Sequence, residues 1–431
     1  MRVRTPVVAL FGPGGEFNWG PWQVSRGGDV DRAAFAPAPR RRAQAGSKGR
    51  MKIALVRQRY NPYGGAERFV ERAVKSLAAQ DVELTLLARK WSGEPGSDAG
   101  LRLIRCDPFY LGRVWRDWSF ARAVCATLRS QRFGLVQSHE RIACCDVYRA
   151  GDGVHRQWLA NRKRAAGVWE RIALALNPYH WYTLAAERRL FQSPRLRAVI
   201  CNSNMVKEEL RRHYALAESK LHVIYSGVDL AAFHPQLRQA WRERKRAELG
   251  IADSAMVFLF VGSGFRRKGL PQLLRALSGV RDAHLVVVGA DKELPRLRRG
   301  AGLSRLSGRV HFTGGQADVK PWYGMADCFV LPTLYDPFPN AALEAMACGL
   351  PLVTSLQCGA AEFVESGVEG YVCRDPLDVV ELARCLNLAA APGQAERMGA
   401  AARRRVEPCG LEDMAQRLTR LYAELLQAKN A

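Results

Sequence analysis

No run of about 18 or more apolar residues occurs in the sequence, so no transmembrane helix is expected. A secretory leader is not signalled either, because the apolar stretch Val7 to Phe11 is short and runs into Gly12 and Pro13; export is not expected. The eleven cysteines contain no CxxC, and only Cys144 and Cys145 are neighbours. That spacing signals neither a disulfide framework nor a zinc site, and reduced, mostly buried thiols of a cytosolic protein are expected. Acidic residues are the scarcest class relative to their counterparts, 41 against 65 Lys and Arg, for a net charge of +24. The deficit is uneven: 9 − 3 = +6 for residues 1–50, 35 − 19 = +16 for 51–250, and 21 − 19 = +2 for 251–431. A basic first half implies an anionic partner, whether nucleic acid, an acidic lipid surface or a phosphorylated acceptor, and charge alone does not choose among them.

What is present is enough for two cores: 431 residues at 48% apolar content. Residues 1–50, rich in Gly, Pro, Ala and Arg, read as a disordered extension. Met51 to Val56 then opens a doubly wound fold as a buried strand, and an internal Met at that point suggests an upstream start choice, which N-terminal sequencing of the native protein checks. Tyr60 to Arg68 follows, with Gly64 and Gly65 at a strand-to-helix turn ahead of a helix over about 66–79. A glycine pair there lets backbone approach a phosphate or charged sugar, or simply makes a tight turn. Strands at 83–88, 134–138 and 199–201 alternate with helices at about 117–131 and 203–214, which predicts a parallel sheet. His139, directly after the strand ending at Ser138, and the acids Asp146 and Asp152 fall near the sheet's carboxyl edge, where open α/β folds bind ligands. His139 is read either as a ligand contact or as structural, and Asp152, between glycines, is the preferred acceptor-side acid.

Residues 155–189 interleave Arg and Lys with Trp158, Trp169, Tyr179, Trp181 and Tyr182 around an apolar helix, Trp169 to Leu176. Such a segment suits an anionic bilayer surface, or equally a solvated basic helix whose tryptophans complete the core. No nucleic-acid-binding signature accompanies it. A second unit begins with the apolar strand Met256 to Gly262, which leads into the basic turn Arg266-Arg267-Lys268 and a helix at 271–277. Arg267 offers bidentate donors for phosphate and Lys268 a compact charge. Strands follow at 284–289 and at Val310 to Gly314.

The stretch that organises the chain is Pro332 to Pro351. A buried strand ends at Pro332, and Pro337, Pro339 and the run Asn340 to Cys348 predict a short helix stopped by Gly349 and Pro351. Its first amides, at Phe338, Pro339, Asn340 and Ala341 (Pro339 itself carrying no N–H), face an anion, while Asp336 before it and Glu344 inside it grip opposite ends of one ligand.

Asp336 and Glu344, separated by seven residues and followed by Ala-Met-Ala-Cys-Gly-Leu-Pro, resemble the acidic pair of retaining family 4 glycosyltransferases (glycosyl transferases group 1) of GT-B fold. Gly64-Gly65 resembles that family's glycine loop, Arg267-Lys268 its diphosphate clamp, and Val310 to Gly314 its base-contacting loop. The first acid is usually Glu; Asp336 shortens the reach by one methylene. The resemblance implies an α/β GT-B fold: two Rossmann-like doubly wound domains facing across a cleft. These are an acceptor-binding domain over 51–228, joined by a helix at 412–428 that crosses back, and a nucleotide-sugar domain over 229–411. It implies hexose transfer from a nucleotide sugar, UDP-linked, with Asp336 on the hexose, Glu344 on the ribose, and Asp152 and His139 on the acceptor side. It also implies no cofactor and no required metal. Within the family the chain most resembles the lipopolysaccharide core glucosyltransferase I group. That implies a glycolipid acceptor, a peripheral site on the anionic cytoplasmic face of the inner membrane, and no nucleic acid. A capsular or polyprenyl-linked glycan, or a catalytically silent scaffold, stands as the alternative; a GT-B phosphorylase lacks a pyridoxal-lysine context.

Overall fold

The computed structural model describes residues 51–60, 82–91, 101–302 and 306–430. Gly64, Gly65 and the helix expected over 66–79 lie outside them. The strands are β1 (Met51–Val56), β2 (Arg59–Tyr60), β3 (Val82–Ala88), β4 (Lys90–Trp91), β5 (Leu101–Arg105), β6 (Leu135–Ser138), β7 (Val147–Arg149), β8 (Ala198–Cys201), β9 (Leu221–Val223), β10 (Met256–Val261), β11 (Ala283–Val288), β12 (Val310–Gly314), β13 (Cys328–Leu331), β14 (Leu352–Ser355) and β15 (Gly370–Cys373). The α-helices are α1 (Gly112–Ser130), α2 (His155–Arg164), α3 (Val168–Leu176), α4 (Pro178–Phe191), α5 (Asn204–Tyr214), α6 (Leu237–Glu248), α7 (Leu270–Leu277), α8 (Leu294–Gly302), α9 (Lys320–Met325), α10 (Asn340–Ala347), α11 (Val379–Ala389), α12 (Gln394–Val406) and α13 (Leu411–Asn430).

Two large parallel sheets result, beside a separate two-stranded pairing of β2 with β4. The first runs β5-β3-β1-β6-β7-β8-β9 and the second β12-β11-β10-β13-β14-β15. In each, the chain winds outward from the central strand, then returns to its other side. The reversal lies between β1 and β6 in the first sheet and between β10 and β13 in the second, and such a switch point opens a crevice at the carboxyl ends of the strands. Buried strands without alternation, such as Val257 to Phe260, follow from helices covering both faces. One face of the first sheet packs on Phe120, Val124 and Leu128 of α1 and on Val206 and Leu210 of α5. The other is covered by Met414, Leu418, Leu421 and Tyr422 of α13, which pack with Ile53, Leu55, Leu84 and Leu86. The last helix therefore completes the first core after the chain has built the second.

Two expectations are corrected. Helix α1 begins at Gly112 rather than near Asp117, because Leu111 caps it without a side-chain hydrogen bond and no acid marks its first turn. Cys125 and Cys144 form a disulfide, against the expectation of reduced thiols throughout. The pair is joined by the packing of α1 beside the loop after β6, a tertiary proximity that cysteine spacing does not express. Among the described cysteines the remaining thiols are buried, apart from the half-buried Cys409.

Candidate active site

One side of the cleft grows from the second switch point. The loop after β10 and the loop after β13 meet backbone to backbone: a Cβ on Gly269, whose φ is +78°, would lie 1.9 Å from the Pro332 carbonyl oxygen, so only glycine fits. The Leu334 N–H donates to the Arg267 carbonyl (2.8 Å) and the Thr333 hydroxyl to the same oxygen (3.0 Å). This close seam brings Asp336 to the basic turn. Its Oδ2 accepts from Lys268 Nζ at 2.9 Å and from Arg267 at 3.1 Å, and Arg267 also donates to the Tyr335 carbonyl at 2.9 Å. Burial alone would raise the Asp336 pKa; Lys268 and Arg267 outweigh it and hold the carboxyl below its ordinary value. Lys268 is buried with Asp336, whereas Arg267 keeps 39% of its side chain accessible and reaches the cleft. Arg266 points elsewhere, pairing with Glu170 of α3 at 2.7 Å.

Helix α10 starts at Asn340 after Pro339; the Ala342 N–H donates back to the Pro339 carbonyl (3.1 Å), and the amides of Asn340 and Ala341 precede the first such bond. The Phe338 ring is buried against Tyr225 and Phe363 rather than turned outward. Ala341 and Asn340 are half-buried, and half-buried Glu344 accepts from the Tyr323 hydroxyl at 3.0 Å. Gly314 closes β12 with φ +74°, its carbonyl accepting from the Gly289 N–H at 2.8 Å beside the same sheet edge.

The opposite side of the cleft lies at the first switch point. A cavity of about 390 Å³ is lined by Arg57 and Gln58 after β1, Glu140 and Arg141 after β6, Asp117 of α1, and Asp152. A second, of about 740 Å³, joins the two halves: Asp152, Arg141, His155 and Trp158 face Arg267, Lys292 and Asp336. Asp152 and Asp336 thus share one cavity. Asp146 does not; it is buried at the start of β7, where it accepts from the Val136 N–H (2.8 Å) and from Arg195 (3.2 Å), so its reading as an edge acid is corrected. His139 is buried beside Gln137 (3.1 Å), whose amide oxygen accepts from the Tyr422 hydroxyl of α13, and it lines neither cavity. Burial, with Arg57 and Arg149 nearby, pushes its pKa far down and keeps the ring neutral.

Several cleft residues carry no motif. Glu140 accepts from the Gln58 N–H (2.9 Å), and burial raises its pKa against the pull of Arg57. His155 and His180 meet at 3.1 Å, with Trp158 stacked on His155. The basic aromatic segment is therefore partly a cleft wall, and Arg164 crosses to Asp375 of the second domain at 2.7 Å. Among the described residues no group of three or more His, Cys, Asp or Glu is placed to hold a metal ion.

Such a cleft is comparable with those of known proteins. A profile described as Glycosyltransferase Family 4 matches residues 63–232, and one described as Glycosyl transferases group 1 matches 242–405. The chain is 27% identical over 397 residues to spore coat protein SA of Bacillus subtilis (strain 168), covering 86% of this chain and 99% of that protein. It is 25% identical over 347 residues to the lipopolysaccharide glucosyltransferase WaaG of Escherichia coli (strain K12), covering 79% and 89%. The crystal structure of WaaG, a glycosyltransferase involved in lipopolysaccharide biosynthesis, matches the fold with a TM-score of 0.71 at 22% identity, over 86% of this chain and 99% of that one. HepE of Anabaena, in complex with UDP and glucose, matches with a TM-score of 0.65 at 20% identity, over 87% and 100%. With the two profiles in tandem over the two sheets, the chain belongs to the family 4, group 1 glycosyltransferases of GT-B fold.

Proposed function

We propose that this glycosyltransferase is a retaining hexosyltransferase that moves glucose from UDP-glucose to a lipopolysaccharide core acceptor at the cytoplasmic face of the inner membrane. The observation that carries the reading is the shared cavity, with Asp336 and Arg267 on its donor wall and Asp152 on the wall that opens toward the acceptor pocket. The charge that grows on the departing diphosphate is met by Arg267 and by the amides opening α10, interactions that strengthen as the glycosidic bond breaks. A guanidinium has five N–H donors, so Arg267 holds Asp336 and a phosphate oxygen together. Lys268, buried on Asp336, fixes that carboxylate, which orients the hexose; Glu344 takes the ribose hydroxyls. This reading gives charge neutralisation to side chains and amides rather than to a metal ion. A front-face route, with the donor phosphate assisting removal of the acceptor proton, fits a site in which no nucleophile is assigned.

UDP and glucose as donor components are supported by the HepE complexes, and the lipopolysaccharide acceptor by the likeness to WaaG. Peripheral attachment is supported by the outward face of α3, where Trp169 is 84% exposed beside Val168, Ile172 and Leu176. A second apolar stripe, Leu111, Trp115 and Trp118 at helical spacing with Phe109 against Trp115, flanks the start of α1. Exposed tryptophans among arginines suit the headgroup region of an anionic bilayer. Among the described residues no helix is long and apolar enough to cross a membrane. The other reading is transfer to a capsular or polyprenyl-linked glycan by the same donor site.

The test is UDP release from a panel of nucleotide sugars with extracted core lipid, comparing wild type with Arg267→Ala and Glu344→Ala. We expect one UDP-sugar to turn over, with Arg267→Ala slowed by about 100-fold or more and Glu344→Ala chiefly raising KM. No turnover with any nucleotide sugar would sink the proposal.

A further inference from the structure

Tyr335, immediately before Asp336, points out of the second domain into the first. It is 2% exposed. Its hydroxyl donates to Glu209 Oε2 of α5 at 2.6 Å and accepts from the Val154 N–H at 2.8 Å. It also sits against Gly153, where a Cβ would come within 2.2 Å of the hydroxyl oxygen and 2.6 Å of the Pro337 ring. Gly153 has φ +69°, so glycine is required there twice over. One hydroxyl therefore lies one residue away from each of two cleft acids that belong to different domains: Asp336 follows Tyr335, and Asp152 precedes Gly153.

The other side of Asp336 is tied to the same helix. The Asp336 N–H donates to the Gln357 carbonyl (3.0 Å), and its carbonyl accepts from the Gly359 N–H (2.9 Å). From the 3₁₀ turn Gly359–Phe363, Glu362 then reaches the N-terminus of α5, accepting from the Asn204 N–H (3.0 Å), the Met205 N–H (2.7 Å) and the Tyr225 hydroxyl (2.8 Å). A carboxylate on first-turn amides is a favourable cap, here supplied from the opposite domain. Helix α5 is held at its first turn and again at Glu209, and both attachments lead through short paths to the backbone of Asp336.

We propose that Tyr335 and Glu209 are positioning residues of the transfer reaction, an interdomain peg that sets Asp336 at a fixed distance from Asp152 and so aligns donor with acceptor. The inference rests on reading those two acids as donor-side and acceptor-side groups. Glu209 lines neither cavity, and although Tyr335 forms part of the wall of the shared one, its hydroxyl is taken up by Glu209 and the Val154 N–H. Their work is done by geometry, and near-attack alignment is sensitive to shifts of about 1 Å.

The experiment uses the full chain with UDP and UDP-glucose as probes. Tyr335→Phe removes only the hydroxyl; Glu209→Leu, which leaves no oxygen to accept from it, approaches from the other domain and serves if the first variant melts early. UDP affinity is measured by calorimetry, UDP release from UDP-glucose with core lipid gives kcat and KM, and small-angle scattering gives the radius of gyration. The expected result is UDP binding within about twofold of wild type, kcat lowered by about 10- to 100-fold, and a larger radius of gyration. Wild-type kcat, loss of UDP affinity in step with kcat, or an unchanged radius of gyration would overturn the peg. Asp152→Asn and Asp336→Asn run alongside: full turnover in both rejects the reading of the acids, while the scattering result judges the peg by itself.

Discussion

At the scale of the residue, Glu209 sets a chemical problem of its own. It is a buried carboxyl on α5, and burial raises its pKa to about 7 despite the Tyr335 hydrogen bond and Arg212, with Glu187 of α4 adding to the rise. Between the ordinary glutamate range and about pH 7 the folded protein keeps a proton that the unfolded chain has released. Stability from this group is therefore complete at low pH and is lost as pH rises through about 7. Glu209→Gln removes that slope. Thermal melts from about pH 5 to about pH 8 should show the wild type losing on the order of 1–3 kcal/mol relative to the variant; parallel melting curves would count against a raised Glu209. The residues that were legible in the sequence are those whose chemistry depends on chain spacing. Asp336 and Glu344 stand on either side of one helix start, and Arg267 and Lys268 close one turn. Glu209, Tyr335 and Glu140 were not, because their partners are 126, 181 and 82 residues away. His139 looked like a site residue because strand ends at a sheet edge are where ligands bind, yet its ring turns toward Gln137 and the α13 side of the sheet.

At the scale of the element, the walls of the cavity at the first switch point are fastened by different means. Helix α1 contributes Arg116 and Asp117 to that pocket, and the loop after β6 contributes Glu140 and Arg141. The Cys125–Cys144 disulfide joins these two walls directly and closes a loop of 19 residues. Loop-closure entropy for a ring of that size is worth about 3 kcal/mol. Reduction should lower the melting temperature of the wild type and leave Cys125→Ser unmoved, with acceptor KM rising more than donor KM; equal melting with and without reductant would show that the bond does not form in solution. Strands without alternation and helices with a clear stripe could be read from periodicity, which is why β1, β3, β10 and α13 fall close to their expected bounds. The short strands β7 and β15 are set by their neighbours in the sheet rather than by any pattern of their own.

At the scale of the whole molecule, the asymmetry of charge has a structural counterpart. The basic half carries α1, α3 and their exposed aromatic faces, whereas the nearly neutral half carries the Arg267–Lys268–Asp336 cluster, in which two cations share one carboxylate. The two-domain plan followed from length and from two strand-opened units in succession. The disulfide, the peg and the α5 cap are long-range contacts and became visible only in three dimensions. Helix α13 covers the apolar underside of β1 and β3. Truncation before Leu411 should therefore leave the first domain without one wall of its core, and we expect the shortened chain to be recovered as aggregate. Soluble, cooperatively melting protein would contradict this.

The two stretches of chain that pass between the domains lie against each other. The Val228 N–H donates to the Cys409 carbonyl at 2.9 Å, and Val228 bridges Gly410. A Cβ on Gly227 would lie 2.8 Å from the Gly410 carbonyl oxygen. For anyone building hybrids by exchanging sugar-nucleotide halves among relatives, the graft has two joints instead of one. The outgoing and returning strands must be transplanted as a matched couple, and the tail must come from whichever parent supplied the acceptor half.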